Sequence, residues 1–295
     1  MLRRRMRLSC GAPAPYITLG MVNSSMKSVV LNGQRVAYST IGVGVPVVFV
    51  HGSFASSSAW RRLVASLDAS SCNAITLDLP GWGESDPSPA DCVGLLEYEA
   101  TAVAAVVDQL SVGPIHLVGH SHGGVVALAA ALARRVELRS LTLFEPLPVS
   151  VLSEMGDADA YGDLTRFASD YRDAFDAGDP WAVRGVIDLW GGSGAFEAMS
   201  PAARDAIADG TAQNIRQWQG TFAFRPTLDA LRALTVPTLL VQSERANPIA
   251  KLIIERLHEL IEGSNVAEIA GANHFLIHTH SAECARIVSH ACHSA

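Results

Sequence analysis

A serine hydroxyl attacks a carbonyl only when a base takes its proton and nearby donors receive the charge that develops. Ser121, in the run Gly119-His120-Ser121-His122-Gly123, has the surroundings for that chemistry. The run reads Gly-x-Ser-x-Gly. An apolar stretch at 114–118 precedes it and a helix-forming run at 125–133 follows. Strand, tight turn and helix make the context of a nucleophile elbow, in which a strained turn presents the hydroxyl at the end of a sheet. Glycines at 119 and 123 allow the neighbouring backbone to approach closely. A glycine-rich turn with an incidental serine shares the pattern, but it does not require both flanks.

Ten histidines compete for the role of base. His274, in Gly271-Ala272-Asn273-His274-Phe275, follows a predicted strand at 266–269 and precedes the last helix. That places it in a loop at the carboxyl edge of a sheet. His51, His120 and His122 belong to turns with other tasks. His278 and His280, taken with His274 and Cys284, have no spacing that matches a known metal site, so no metal and no cofactor is expected. For the oxyanion, His51-Gly52-Ser53-Phe54 follows a β-branched run at 47–50 and carries the glycine such a loop needs. The backbone N–H groups of Ser53 and His122 are the expected donors.

Eight predicted strands position these loops. Residues 28–31 and 35–41 flank an Asn32-Gly33 hairpin turn. Further strands follow at 47–50, 74–77, 115–118, 141–144, 238–242 and 266–269, with helices at 60–67, 96–110, 249–261 and from about 281. Such alternation predicts an α/β fold with a doubly wound, mostly parallel sheet, whose chemistry gathers at the carboxyl ends of the strands. A helical cap, residues 147–226, interrupts the pattern after the sixth strand. It holds Trp181, Trp190, Trp218 and five of the nine phenylalanines. Most of these aromatics read as cap core. Phe54, Trp218 and Phe222, with Phe224, are the expected lining of an apolar substrate pocket. The core is then 28–146 and 227–295.

Composition bounds the rest. The 295 residues are 49% hydrophobic and 17% charged with a net charge of −7, which suits a globular protein and gives no footprint for nucleic acid. The longest apolar runs fall short of a membrane span. Five cysteines without paired spacing read as reduced thiols, which points to the cytoplasm. The segment 1–27 is basic at first but is broken by Gly11, Pro13 and Pro15. It is therefore expected as a disordered extension or a misassigned start, not a targeting signal.

From about residue 28 onward the chain resembles the α/β-hydrolase fold superfamily. The landmarks are Val50-His51-Gly52-Ser53, Asp78-Leu79-Pro80-Gly81-Trp82-Gly83-Glu84-Ser85, the serine run, and Gly271-Ala272-Asn273-His274. Four landmarks in this order are specific for the fold and weak for any substrate. The resemblance implies Ser121 as nucleophile, His274 as base, Ser53 and His122 as oxyanion hole, and 147–226 as cap. It also implies an acid shortly after the strand at 238–242, and there the chain departs. Ala246 occupies the usual position and Glu244 comes two residues early. Glu145, in Phe144-Glu145-Pro146, follows the preceding strand, where some branches look similar in placing their acid. Glu145 is favoured, since Pro146 restricts its backbone, and Glu244 is the alternative. Asp78 reads as a turn stabiliser.

A serine nucleophile leaves attack on a carbonyl: esters, lactones, thioesters, amides or the carbon–carbon bonds of diketones. A small, largely apolar ester is the expected substrate and partner. The alternatives are a cofactor-independent oxygenase or perhydrolase on the same fold, and a non-catalytic ligand-binding protein. The oligomeric state stays open.

Overall fold

The computed structural model describes residues 5–7, 26–90 and 92–294. Among the described residues nine strands form one sheet: β1 (Arg5–Arg7), β2 (Lys27–Leu31), β3 (Gln34–Ile41), β4 (Val45–Val50), β5 (Cys72–Leu77), β6 (Ile115–His120), β7 (Leu138–Phe144), β8 (Thr238–Ser243) and β9 (Asn265–Ile269). Their order is β1-β9-β8-β7-β6-β4-β5-β3-β2. All neighbours run parallel except β2 with β3 and β3 with β5. The eight strands expected from the sequence are present. The ninth corrects the reading of 1–27 as wholly disordered: Arg5–Arg7 pairs with Val266–Glu268. The reason is that β9 would otherwise be an edge, with a row of unpaired N–H and C=O groups that any extended segment can satisfy. Most of the expected extension lies outside the described residues.

The hairpin turn behaves as its chemistry requires. Asn32 and Gly33 both take positive φ, 49° and 78°, the type I′ pattern that matches the twist of β2 and β3. In the central strands, alternate side chains bury on opposite faces. Val48, Val50, Leu117 and Leu143 join one core. Val47, Phe49, Val118 and Phe144 join the other. Both faces are thus covered, as a parallel sheet demands.

The helices supply the covers. Among them α1 (Arg61–Val64) and α12 (Ser281–Ser294) contact each other beside the second core, while α2 (Leu95–Leu110) packs on α3 (His122–Leu132) over the first. Between β7 and β8 come α4 (Ser150–Glu154), α5 (Ala158–Asp176), α6 (Arg184–Gly191), α7 (Pro201–Asp209) and α8 (Thr211–Ala223), followed by α9 (Leu228–Arg232). The last third adds α10 (Pro248–Leu260) and α11 (Leu276–Thr279).

The five-helix insertion is tied to the sheet layer by polar contacts at several points. Arg256 on α10 makes a two-pronged pair with Asp157 at 2.7 and 2.9 Å. Asn247 donates to the carbonyl of Leu189 at 3.0 Å, and Asn273 to that of Gly191 at 2.8 Å. No described helix is long and apolar enough to cross a membrane.

Candidate active site

The parallel register brings the carboxyl ends of β4, β6, β7 and β8 to one edge: Val50 lies opposite Gly119, His120 opposite Phe144, and Phe144 opposite Val241. Ser121 follows β6 with φ 55° and ψ −124°, a conformation a side chain rarely adopts. The turn closes around it because glycines stand two residues to either side, at 119 and 123. A Cβ on Gly119 would lie 2.4 Å from the carbonyl oxygen of Gly123, and one on Gly123 would lie 2.2 Å from that of His51.

His274 meets this serine from the far end of the chain. Its Nε2 lies 2.9 Å from the Ser121 hydroxyl, and its Nδ1 lies 2.6 Å from Oε2 of Glu145. Glu145 is 1% exposed and takes φ 43°, a second strained residue at the end of a strand. Its other oxygen accepts from the backbone N–H of Ser243 at 2.7 Å and from the Ser243 hydroxyl. Burial pushes this carboxyl upward. The hydrogen bond and charge of His274 and the two bonds from Ser243 outweigh it, so the pKa lies below the ordinary glutamate value. An ionised carboxylate accepts only, which assigns the Nδ1 hydrogen to His274 and leaves Nε2 free to accept from serine.

The alternative acid is elsewhere. Glu244 is exposed, and its Oε2 accepts the Gly271 N–H at 2.7 Å, so it braces the loop that carries His274. Asp78 serves its turn, accepting from the N–H groups of Ser57 at 2.6 Å and Glu84 at 2.8 Å.

Two further histidines hold the edge together. His51 accepts the Leu79 N–H on Nε2 at 2.9 Å and donates from Nδ1 to the Gly52 carbonyl at 2.7 Å. His120 lies 2.9 Å from the His274 carbonyl through its Nε2. Burial first, and then the neighbouring His274, keep the His120 imidazole well below its usual range. It is therefore neutral and donates that bond, which fixes the backbone of the His274 loop.

Ser53 and His122 flank the serine. Among the described residues, neither of their backbone N–H groups has a protein acceptor. That of His122 opens α3, where the helix dipole favours negative charge.

A cavity of about 330 Å³ opens onto this edge beneath the insertion. Phe54 and Trp218 line it, as the sequence suggested, and so do Val186, Ile187, Trp190 and Met199. Phe222 does not. On α8 the residues that face the cavity are Asn214, Gln217, Trp218 and Thr221. Position 222 is turned a further ~100° from Thr221, and its ring packs on Trp218 at 6.0 Å and Tyr161 at 5.9 Å. Phe224 is likewise absent from the lining. Trp190, which the sequence gave no reason to single out, sits between the rings of His274 (5.6 Å) and Trp218 (6.3 Å). No Lys, Arg, Asp or Glu lines the cavity among the described residues, and no group of side chains there has the makings of a metal site.

Residues 47–287 match the model of the alpha/beta hydrolase family. The chain belongs to that family. It is 36% identical over 114 residues to the 2-hydroxy-6-oxononadienedioate/2-hydroxy-6-oxononatrienedioate hydrolase of Burkholderia vietnamiensis, covering 37% of this chain and 39% of that protein. It is 30% identical over 135 residues to the Escherichia coli K12 hydrolase of the same name, covering 41% and 46%. The chain thus spans less than half the length of these curated relatives. Solved structures resemble it more broadly. The carboxylesterase CesB of Bacillus subtilis aligns over 93% of this chain and 94% of its own, with TM-score 0.66 and 20% identity. A meta-cleavage product hydrolase (CumD) aligns over 91% and 98%, with TM-score 0.69 and 17% identity.

Proposed function

We propose that this chain is a serine hydrolase that cleaves a small, largely apolar carboxylic ester, lactone or thioester through an acyl-enzyme on Ser121. The observation that carries the reading is the unbroken path Ser121–His274–Glu145, at 2.9 and 2.6 Å, opening into an apolar cavity. His274 Nε2 takes the hydroxyl proton as Oγ bonds to the carbonyl carbon. The carbonyl oxygen becomes an oxyanion held by the N–H groups of Ser53 and His122. Glu145 stays ionised beside the imidazolium and keeps its Nδ1–H pointed inward. Collapse of the intermediate expels the alcohol, which takes the proton from Nε2. A water deprotonated by the same nitrogen then releases the acid.

The curated relatives favour a second reading, cleavage of a carbon–carbon bond beside a ketone. The substrates in their names are dioates, and a dianion needs cationic partners when it leaves water. This cavity offers neither Lys nor Arg, which supports a neutral ester for this chain. A series of p-nitrophenyl esters from acetate to octanoate, set against a 2-hydroxy-6-oxo-dienedioate, separates the two. Ester turnover that vanishes in Ser121→Ala supports the proposal. Dioate turnover with no esterase activity supports the second reading. Turnover that persists in Ser121→Ala points instead to proton-abstraction chemistry of the oxygenase kind, and tight ligand binding without turnover points to a binding protein.

A further inference from the structure

Glu99 is a charged residue in the wrong place for a helix of this kind. It lies on α2 on the same face as Leu95, Leu96, Ala102 and Val103, all buried, and is itself 0% exposed. An apolar residue there would complete the face without the cost of burying a carboxylate. Both of its oxygens are used. Oε2 lies 2.6 Å from Nε2 of His122, and Oε1 accepts from Nε2 of Gln217 at 3.0 Å. Gln217 in turn accepts, on its Oε1, the hydroxyl hydrogen of Ser53 at 2.7 Å. Thr221, one turn further along α8, lies 3.2 Å from the remaining nitrogen of His122.

The two branches end on Ser53 and His122, the two residues whose backbone N–H groups have no protein acceptor among the described residues and are the expected oxyanion donors. Ser53 sits after β4 and His122 after β6, so the sheet alone does not lock their peptides to each other. One carboxylate does, with Gln217 and Thr221 of the inserted α8 as the other anchors.

Resting on the acyl-enzyme reading above, we infer that Glu99 and Gln217 are positioning residues for the oxyanion hole. Through the side chains of His122 and Ser53 they set the aim of the two N–H donors. They also make that aim depend on how α8 seats over the sheet edge. The inserted helix therefore helps to assemble the site as well as to roof it.

The test uses Glu99→Gln, Gln217→Leu and Ser53→Ala, the last of which keeps the backbone donor and removes only the hydroxyl. Each is compared with wild type in kcat and KM for a p-nitrophenyl ester, in the rate of labelling by a fluorophosphonate, and in thermal midpoint. A misaimed donor predicts a kcat about 10- to 100-fold lower, since loss of a whole donor costs about 10²–10³. KM stays within about threefold, and labelling slows in parallel with kcat. Ser53→Ala combined with Gln217→Leu falls no further than the worse single variant, because the two residues act through one bond. Ser53→Thr, which restores a hydroxyl, recovers most of the rate.

A merely structural network would lower the midpoint and leave kcat per folded molecule unchanged. Folded Gln217→Leu and Ser53→Ala with kcat within about twofold of wild type overturn the inference, even if Glu99→Gln does not fold. Wild type that neither turns over ester nor labels overturns the acyl-enzyme reading together with it. An active wild type with unaffected variants overturns this inference alone.

Discussion

The carboxyl edge of the sheet and the helical insertion above it meet at one cavity, yet they are built by different physics. The edge is held by backbone. Ser121, Glu145 and Phe54 all take positive φ, and two glycines pass within a carbonyl's reach of neighbouring turns. Little there can change without a clash. The insertion is held by rings and a few polar ties: Trp190, Phe167 and Phe222 all pack on Trp218, and Arg256, Asn247 and Asn273 fasten it from outside. Apart from Gln217 and Thr221, which reach Ser53, Glu99 and His122 at the edge, its surface toward the cavity can be recut without disturbing the sheet. Chemistry placed on the edge and selectivity placed on the insertion, with α8 as the one element that serves both, is the division this contrast implies.

The sharpest way to break that division is at the carboxylate. Glu145→Gln should lower kcat by about 10⁴, the scale seen when an acid that orients a histidine is lost. Glu244→Gln should cost no more than about threefold, since it only braces the His274 loop. Ester hydrolysis by both variants checks this, and the reverse ranking would place the acid after β8. Next in size is Gly123→Ala, whose added carbon would press on the carbonyls of Val50 and His51. A loss of about 3 kcal/mol is expected, read as a fall in Tm of roughly 5 °C or more. Trp190→Leu is the matching change in the insertion. It should move the preferred acyl chain toward longer esters and raise KM for short ones about tenfold, with kcat less affected. Equal losses of kcat from Trp190→Leu and Glu145→Gln would dissolve the contrast between the two regions.

The smallest effect concerns pH. His120 and His51 have pKa values lowered by burial from an ordinary 6.5, so between the folded and unfolded values the unfolded chain binds more protons. Stability is then fully present above pH 6.5 and is lost as the pH falls below it. Urea unfolding of wild type should show this slope. His120→Asn should flatten it, by at most about 1.4 kcal/mol per pH unit for one group.

What the sequence made legible follows the same division. Backbone constraints leave marks in residue type, so the serine turn, the Asn32-Gly33 hairpin and the loop of His274 could be read from glycines and their flanks. Glu145 could be favoured over Glu244 because a proline follows it, though its positive φ left no mark. In the insertion, one position is a turn of ~100°, and that was enough to turn Phe222 away from the cavity and onto Tyr161 and Trp218, while Trp218 itself lines the cavity. Glu99 did leave a trace, an acid amid the apolar positions of α2. Reading it required knowing that His122 and Gln217 stand opposite, 23 and 118 residues away in sequence. The pairing of Arg5–Arg7 with β9 left none, because the contact is carried by backbone groups that every residue has.

A covalent step at Ser121 is the centre of the proposed chemistry. Rapid mixing with a p-nitrophenyl ester, acid quench and mass spectrometry of the intact chain and its peptides measures that step directly. A burst approaching one equivalent of p-nitrophenol, with a single acyl adduct on the peptide containing Ser121, is the predicted result. Steady ester turnover with no burst in a range where deacylation is slow, and no adduct on that peptide, would contradict it.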